Sequence, residues 1–177
     1  MPDWLIIVLI VLAGILALYI IGVITCLIFS KVFSVKIKFS NNALNVLLHQ
    51  RHEFALKIIL LLEENGIEVS SESKKAIEKL ERIDNFQALE KNDRNDRISV
   101  FSHQMADFML TIKANSAKIG EETTNKIIKE FKDLEDDYRQ KSSVYNADII
   151  GYNYWINALL VKWISKLFKR RSKDIVM

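Results

Sequence analysis

The chain has a single cysteine, Cys26, and a single proline, Pro2, and its five glycines stand apart from one another. One cysteine excludes an intramolecular disulfide framework and a cysteine-built zinc site. So few turn residues exclude a loop-rich or strand-rich fold, a collagenous chain and a proline-rich linker. Isolated glycines build no phosphate-cradling loop. The three histidines, His49, His52 and His103, lack the His-Glu-x-x-His order of a zinc protease; the order here is His49-x-x-His52-Glu53. No glutamate has a histidine three residues later, so the di-metal motif of helical bundles is missing too. Ser, His and Asp residues show no nucleophile-elbow context, and Cys26 sits inside an apolar run. These absences point to an all-α, non-catalytic chain with no cofactor and no metal. Its 177 residues are one domain's length, 50% apolar and 27% charged.

What is present is unevenly spread. Trp4 to Phe29 is a run of 26 uncharged residues, of which only Gly14, Gly22 and Thr25 are not apolar. At about 1.5 Å per residue it makes about 39 Å of helix, enough to cross a hydrocarbon core of about 30 Å. A cleaved leader would have a basic start and a small-residue cleavage site, whereas this one begins with Asp3 and continues past Thr25. The expectation is a retained anchor over residues 4–29. Lys31, Lys36 and Lys38 follow the run with no acid among residues 30–40, so the positive-inside rule places residues 1–3 outside and the bulk of the chain in the cytoplasm. This describes a single-pass inner or plasma membrane protein. Ala13 and Ala17 form one small-xxx-small pair that supports helix pairing in the span.

Beyond a juxtamembrane linker at 30–41, helical spacing dominates. Leu44, Leu47, Leu48, Ala55, Ile58, Ile59 and Leu62 predict a first helix, capped by Ser40 or Asn41 and stopped at Gly66. A second helix starts after Ser70 or Ser71 and carries Ala76, Ile77, Leu80 and Ile83. The polar run Asn92–Asp96 reads as a loop. A third helix, about 97–118, turns Ile98, Phe101, Met105, Phe108, Met109 and Ile112 inward. From Glu121 to about Arg171 nothing but Gly151 breaks the periodicity, which predicts one long helix, or two with a bend near 151–157. Short connections favour antiparallel neighbours. The expected fold is an N-terminal transmembrane helix followed by an antiparallel four-helix bundle over 42–154 with a long last helix, its C-terminus returning to the bilayer.

The charge partition agrees. The net charge of +3 resolves into +3 on residues 30–40, +5 on residues 162–177 and −4 on residues 41–161, with Asp3 apart. Basic excess therefore lies in the two stretches that topology places at the membrane, where anionic lipid attracts each such residue by about 1 kcal/mol. Residues 155–177 form a basic amphipathic end. Lys162, Lys166, Lys169 and Lys173 recur at four- and three-residue steps, with Arg170 and Arg171 beside them and Trp155 and Trp163 on the apolar side. The same spacing fits two placements, on the bilayer surface or in the bundle core. The acidic bundle argues against a nucleic-acid partner. Glu135-Asp136-Asp137 reads as a solvated helix face.

Two stretches resemble the LemA family. Val46-Leu47-Leu48-His49-Gln50-Arg51-His52-Glu53-Phe54 is similar to that family's aliphatic residue followed by Arg-His-Asp-Leu. Tyr145-Asn146 and Tyr152-Asn153, one heptad apart, are similar to its repeated Tyr-Asn in the last long helix. Departures are the missing proline after the first motif, where Leu56 stands, and the missing proline after the second. The resemblance implies a membrane-anchored helical bundle of undefined molecular role, and some relatives are associated with shaping internal membranes. It gives Arg51, His52 and Glu53 the role of tying the first helix to a neighbour through charged hydrogen bonds. Tyr145, Asn146, Tyr152 and Asn153 share one helix face, expected to meet the first helix near Arg51–Glu53. The resulting expectation is a scaffold or adaptor whose partners are the lipid bilayer and another protein or a second copy, with no small-molecule substrate. The alternative is a membrane-surface or membrane-remodelling protein acting through its C-terminal basic helix.

Overall fold

The computed structural model describes residues 2–81, 91–158, 162 and 171–175. Among them there are only helices: α1 Asp3–Glu64, α2 Ser71–Glu81, α3 Lys91–Ala114, α4 Ser116–Ile119 and α5 Glu121–Asn157. The all-α class holds.

The apolar run is the first part of α1, the one helix among the described residues long and apolar enough to cross a membrane. It does not end where the apolar run ends. Residues 30–41, expected as a linker, are helical, and Ser40 and Asn41 lie inside α1 rather than capping a new helix. The reason is local. From Val23 to Asn65 there is no glycine or proline to break the helix. Ser30 turns its hydroxyl onto its own helix, donating to Leu27 O at 2.9 Å. Gly66 ends α1 at φ +67, a left-handed conformation that suits glycine. Gly66 N donates to Glu63 O at 3.0 Å and Ile67 N to Leu62 O at 2.9 Å, closing the last turn on its own carbonyls. Ser70 then caps α2, its hydroxyl oxygen accepting from Ser73 N at 3.1 Å. An ion pair between Lys74 and Glu63 holds the two helix ends together.

The run Asn92–Asp96 is the opening of α3, not a loop; Asn and Asp are residues that start helices readily. α3 stops at Ala114, where the Asn115 side chain donates to Thr111 O at 2.9 Å. Gly120, at φ +96, separates the single turn of α4 from α5. α5 starts with Glu121 and Glu122, acids placed favourably at a helix N-terminus.

The chain divides into two compact units, one of Met1–Phe39 with Asn146–Ile175 and one built on Ser40–Tyr145. The core of the second draws on all five helices: Phe54, Ala55, Ile58, Ile59 and Leu62 from α1, Ile77 from α2, Phe101, Met105, Phe108, Met109 and Ile112 from α3, Ile119 from α4 and Ile127 from α5. Burying each such side chain contributes about 1.5–3 kcal/mol, which is what fixes helices too short to persist alone. α5 runs antiparallel to α1 here, since Arg51 pairs with Glu135 and Lys57 with Glu130.

In the first unit α5 again runs against α1. The Phe29 and Trp155 rings stack at 4.7 Å. Gly151 makes no bend. A Cβ on it would collide with the Phe33 ring, so its missing side chain is the space that ring occupies. Trp155 thus belongs to α5, which ends at Asn157 rather than running on to Arg171. The Asn157 amide donates to Asn153 O at 2.9 Å in that last turn. Lys162 is again helical; Trp163, Lys166, Lys169 and Arg170 lie outside the described residues.

Candidate functional site

The first motif residue, Arg51, is among the largest fully buried side chains of the described residues, 2% exposed. A buried guanidinium needs a counter-charge and acceptors. Arg51 Nη2 lies 2.7 Å from Glu135 Oε1 and donates to Ser102 Oγ at 3.4 Å. Two rings lie close to its cation, with the Tyr138 centroid 4.2 Å and the Phe101 centroid 4.7 Å from Cζ. Arg stacks on rings because its planar cation is weakly hydrated and attracted to the π face. Arg51 Nε and Nη1 find no hydrogen-bond partner among the described residues. Burial pushes the Tyr138 phenol above its ordinary value; the Arg51 charge opposes that rise and the Glu135 charge adds to it. This node joins α1, α3 and α5.

The node differs from the sequence expectation in three ways. Glu135 is not part of a solvated face; it is the ion-pair partner of Arg51. Glu53 does not reach a neighbouring helix; it is exposed and faces His49 on its own helix at 3.4 Å. His52 is buried, and its Nε2 has no partner among the described residues. On α5 the residues that meet Arg51 are Glu135 and Tyr138, the latter one heptad before Tyr145. Tyr138, Tyr145 and Tyr152 are all buried, so the face anticipated from two tyrosines has three. The signal was present in the seven-residue spacing, but Tyr138 is followed by Arg139 and not by asparagine.

The second motif leads to the first unit. The Asn153 amide grips the backbone of Lys173 from both sides: Nδ2 donates to Lys173 O and Oδ1 accepts from Lys173 N, each at 2.8 Å. Asn157 Nδ2 donates to Ser172 Oγ at 3.2 Å. The Lys173 ammonium lies 5.5 Å from the Tyr152 ring centroid. Burial, and then the charge of Lys38, lower the Lys173 pKa. Lys36 sits 5.2 Å from the Phe33 ring centroid. Lys31, Lys38, Lys162 and Arg171 are exposed, and Asn146 is half-buried. Trp155 also meets Tyr154 edge-on at 5.3 Å. The fold therefore brings Tyr152, Asn153 and Lys173 together. Among the described residues no three His, Cys, Asp or Glu side chains are grouped to hold a metal ion.

The fold and site define an all-α protein with one helix near its N-terminus long and apolar enough to cross a membrane. No family model, curated protein or solved structure matches the chain.

Proposed function

We propose that this is a single-pass membrane scaffold of the kind its LemA-like motifs suggest, anchored by the first part of α1, with its N-terminus outside and its bulk in the cytoplasm, and working by self-association. The observation that carries the reading is on the outer face of α1. Ile28, Val32, Val35, Phe39, Asn42, Val46, His49, Glu53, Leu56 and Leu60 follow one another at alternating four- and three-residue steps, and all are exposed. Phe39 is 73%, Val46 58% and Leu60 59% exposed. A 3.5-residue repeat suits a left-handed coiled coil, and a polar residue at one such position, here Asn42, sets register. Two copies anchored in one bilayer enter it in the same direction, so equivalent positions would meet in a parallel pair. The test is cysteine crosslinking in native membranes, with Cys26→Ser as background. Val46→Cys should give a covalent dimer and Lys126→Cys, exposed on α5, should not; monomer from both overturns self-association.

A second reading, action at the membrane surface, is favoured by the Phe29–Trp155 stack, which brings the end of α5 to the end of the apolar run. Tryptophan at that level suits the interface between hydrocarbon and headgroups.

A further inference from the structure

Two stretches of the chain repeat each other. His49-Gln50, Phe54, Leu56, Ile58 and Gly66 recur at one constant offset as His103-Gln104, Phe108, Leu110, Ile112 and Gly120, with Val46 answered by Val100 and Glu53 by Asp107. The folded positions match as well. Phe54, Ile58, Phe108 and Ile112 are core residues, and Gly66 and Gly120 both take a positive φ. On the outer face of α1, Val46, His49, Glu53 and Leu56 are exposed, and so are Val100, His103, Asp107 and Leu110 on α3. Packing accounts for a repeated core residue but not for a repeated exposed pair of histidine and carboxylate. The geometry of the pairs supplies a reason. His49 Nε2 lies 3.4 Å from Glu53 Oε1, and His103 Nε2 lies 3.6 Å from Asp107 Oδ2. A tetrahedral zinc ion with nitrogen and oxygen ligands at about 2.0–2.2 Å holds them about 3.3–3.6 Å apart. Each pair is therefore spaced as two of the four ligands. No third His, Cys, Asp or Glu completes either set among the described residues. In a parallel association of α1, His49 and Glu53 would face the same two residues of a second copy, with like carboxylates opposed. A divalent cation between them cancels that repulsion and finds all four ligands.

We propose that each repeat carries half of a zinc site, His49 with Glu53 on α1 and His103 with Asp107 on α3, completed by the same pair of a second copy. This rests on the self-association reading and deepens it by naming the ion that joins the copies. The two pairs are not grouped with each other. One chain can therefore join two others, and zinc-dependent association does not stop at a dimer.

The test is sedimentation equilibrium of the untagged full chain in density-matched detergent, stripped with EDTA and then titrated with zinc ion alone. Bound zinc is measured by atomic emission. Zinc should raise the wild type beyond a dimer and bind at about one ion per chain, since two copies share each four-ligand site. His49→Ala and His103→Ala should each bind about half as much zinc and reach a smaller mass. The double variant should not respond to zinc. Both histidines are exposed, so circular dichroism should show the same helix content in every variant. Calcium, which takes about six to eight oxygen ligands, should not replace zinc. Wild-type zinc binding by the double variant, or zinc bound with no rise in mass, overturns the proposal. Association as strong in EDTA as in zinc refutes the metal site and leaves the self-association reading standing. A chain that is monomeric under both conditions overturns both.

Discussion

The Arg51 guanidinium lies 4.2 Å from the centre of the Tyr138 ring, and so a residue of α1 and a residue of α5 cover each other. With the Phe101 ring centroid 4.7 Å from Cζ and Glu135 at 2.7 Å, Arg51 is closed in by three partners from two other helices. Its desolvation is offset only while that enclosure is complete.

Truncating one side of this node should be more harmful than replacing both. Arg51→Ala leaves Glu135 without its cation and opens a gap between two rings, and should destabilise the helical body by about 3 kcal/mol. The double variant Arg51→Met with Glu135→Leu removes both charges while keeping volume, and should lose less than half of that. Thermal unfolding of the detergent-purified chain, followed by circular dichroism, checks both; equal losses would contradict a coupled pair.

Gly151 gives a steric prediction. Gly151→Ala places a methyl group against the Phe33 ring, which must shift, and should cost about 1–3 kcal/mol through overpacking. Phe33→Ala in the same chain frees the space and should recover part of the loss. Trp155 fluorescence reports the outcome, because the ring stacks on Phe29 one helical turn from Phe33. A Gly151→Ala chain with unchanged emission and stability would show that the close approach carries no energy.

The Tyr138 phenol is held above the ordinary value of 10.0, first by burial, against the opposing charge of Arg51, with Glu135 adding to the rise. An acid whose folded pKa is raised ionises first in the unfolded chain. Its contribution to stability is therefore fully present below pH 10 and declines as pH rises from there towards the folded value. Alkaline difference absorbance should show one tyrosine ionising late, and Tyr138→Phe should remove that late step. Identical titration curves for the two chains would contradict the burial argument.

How much of this was legible in the sequence depends on the kind of interaction. The cap at Ser70 and the stop at Gly66 were readable, because they depend on neighbours within four or five residues. Arg51 stood out as a motif residue, but its partners Ser102, Glu135 and Tyr138 did not. Glu135 sits in an acidic triplet that looks the same in sequence whether solvated or paired. The linker expected at 30–41 was misjudged for a related reason. A change of composition need not mark a change of backbone, and a helix runs on through it unbroken when no residue forbids it. Whether the last helix runs straight through Gly151 stayed open in the sequence, because sequence shows a missing side chain and not the ring that fills its place.

The sequence by itself determined the all-α class, the apolar segment long enough to span a bilayer and the basic character of residues 30–40 and 162–177. Those follow from runs, spacings and missing breakers along one chain. Only the tertiary structure decided that Arg51 is enclosed by Phe101, Tyr138 and Glu135, that Gly151 admits Phe33, and that Asn153 holds the backbone of Lys173. Each of these requires two distant segments to meet in one register, and a shift of one residue along either helix would turn the side chains away from one another.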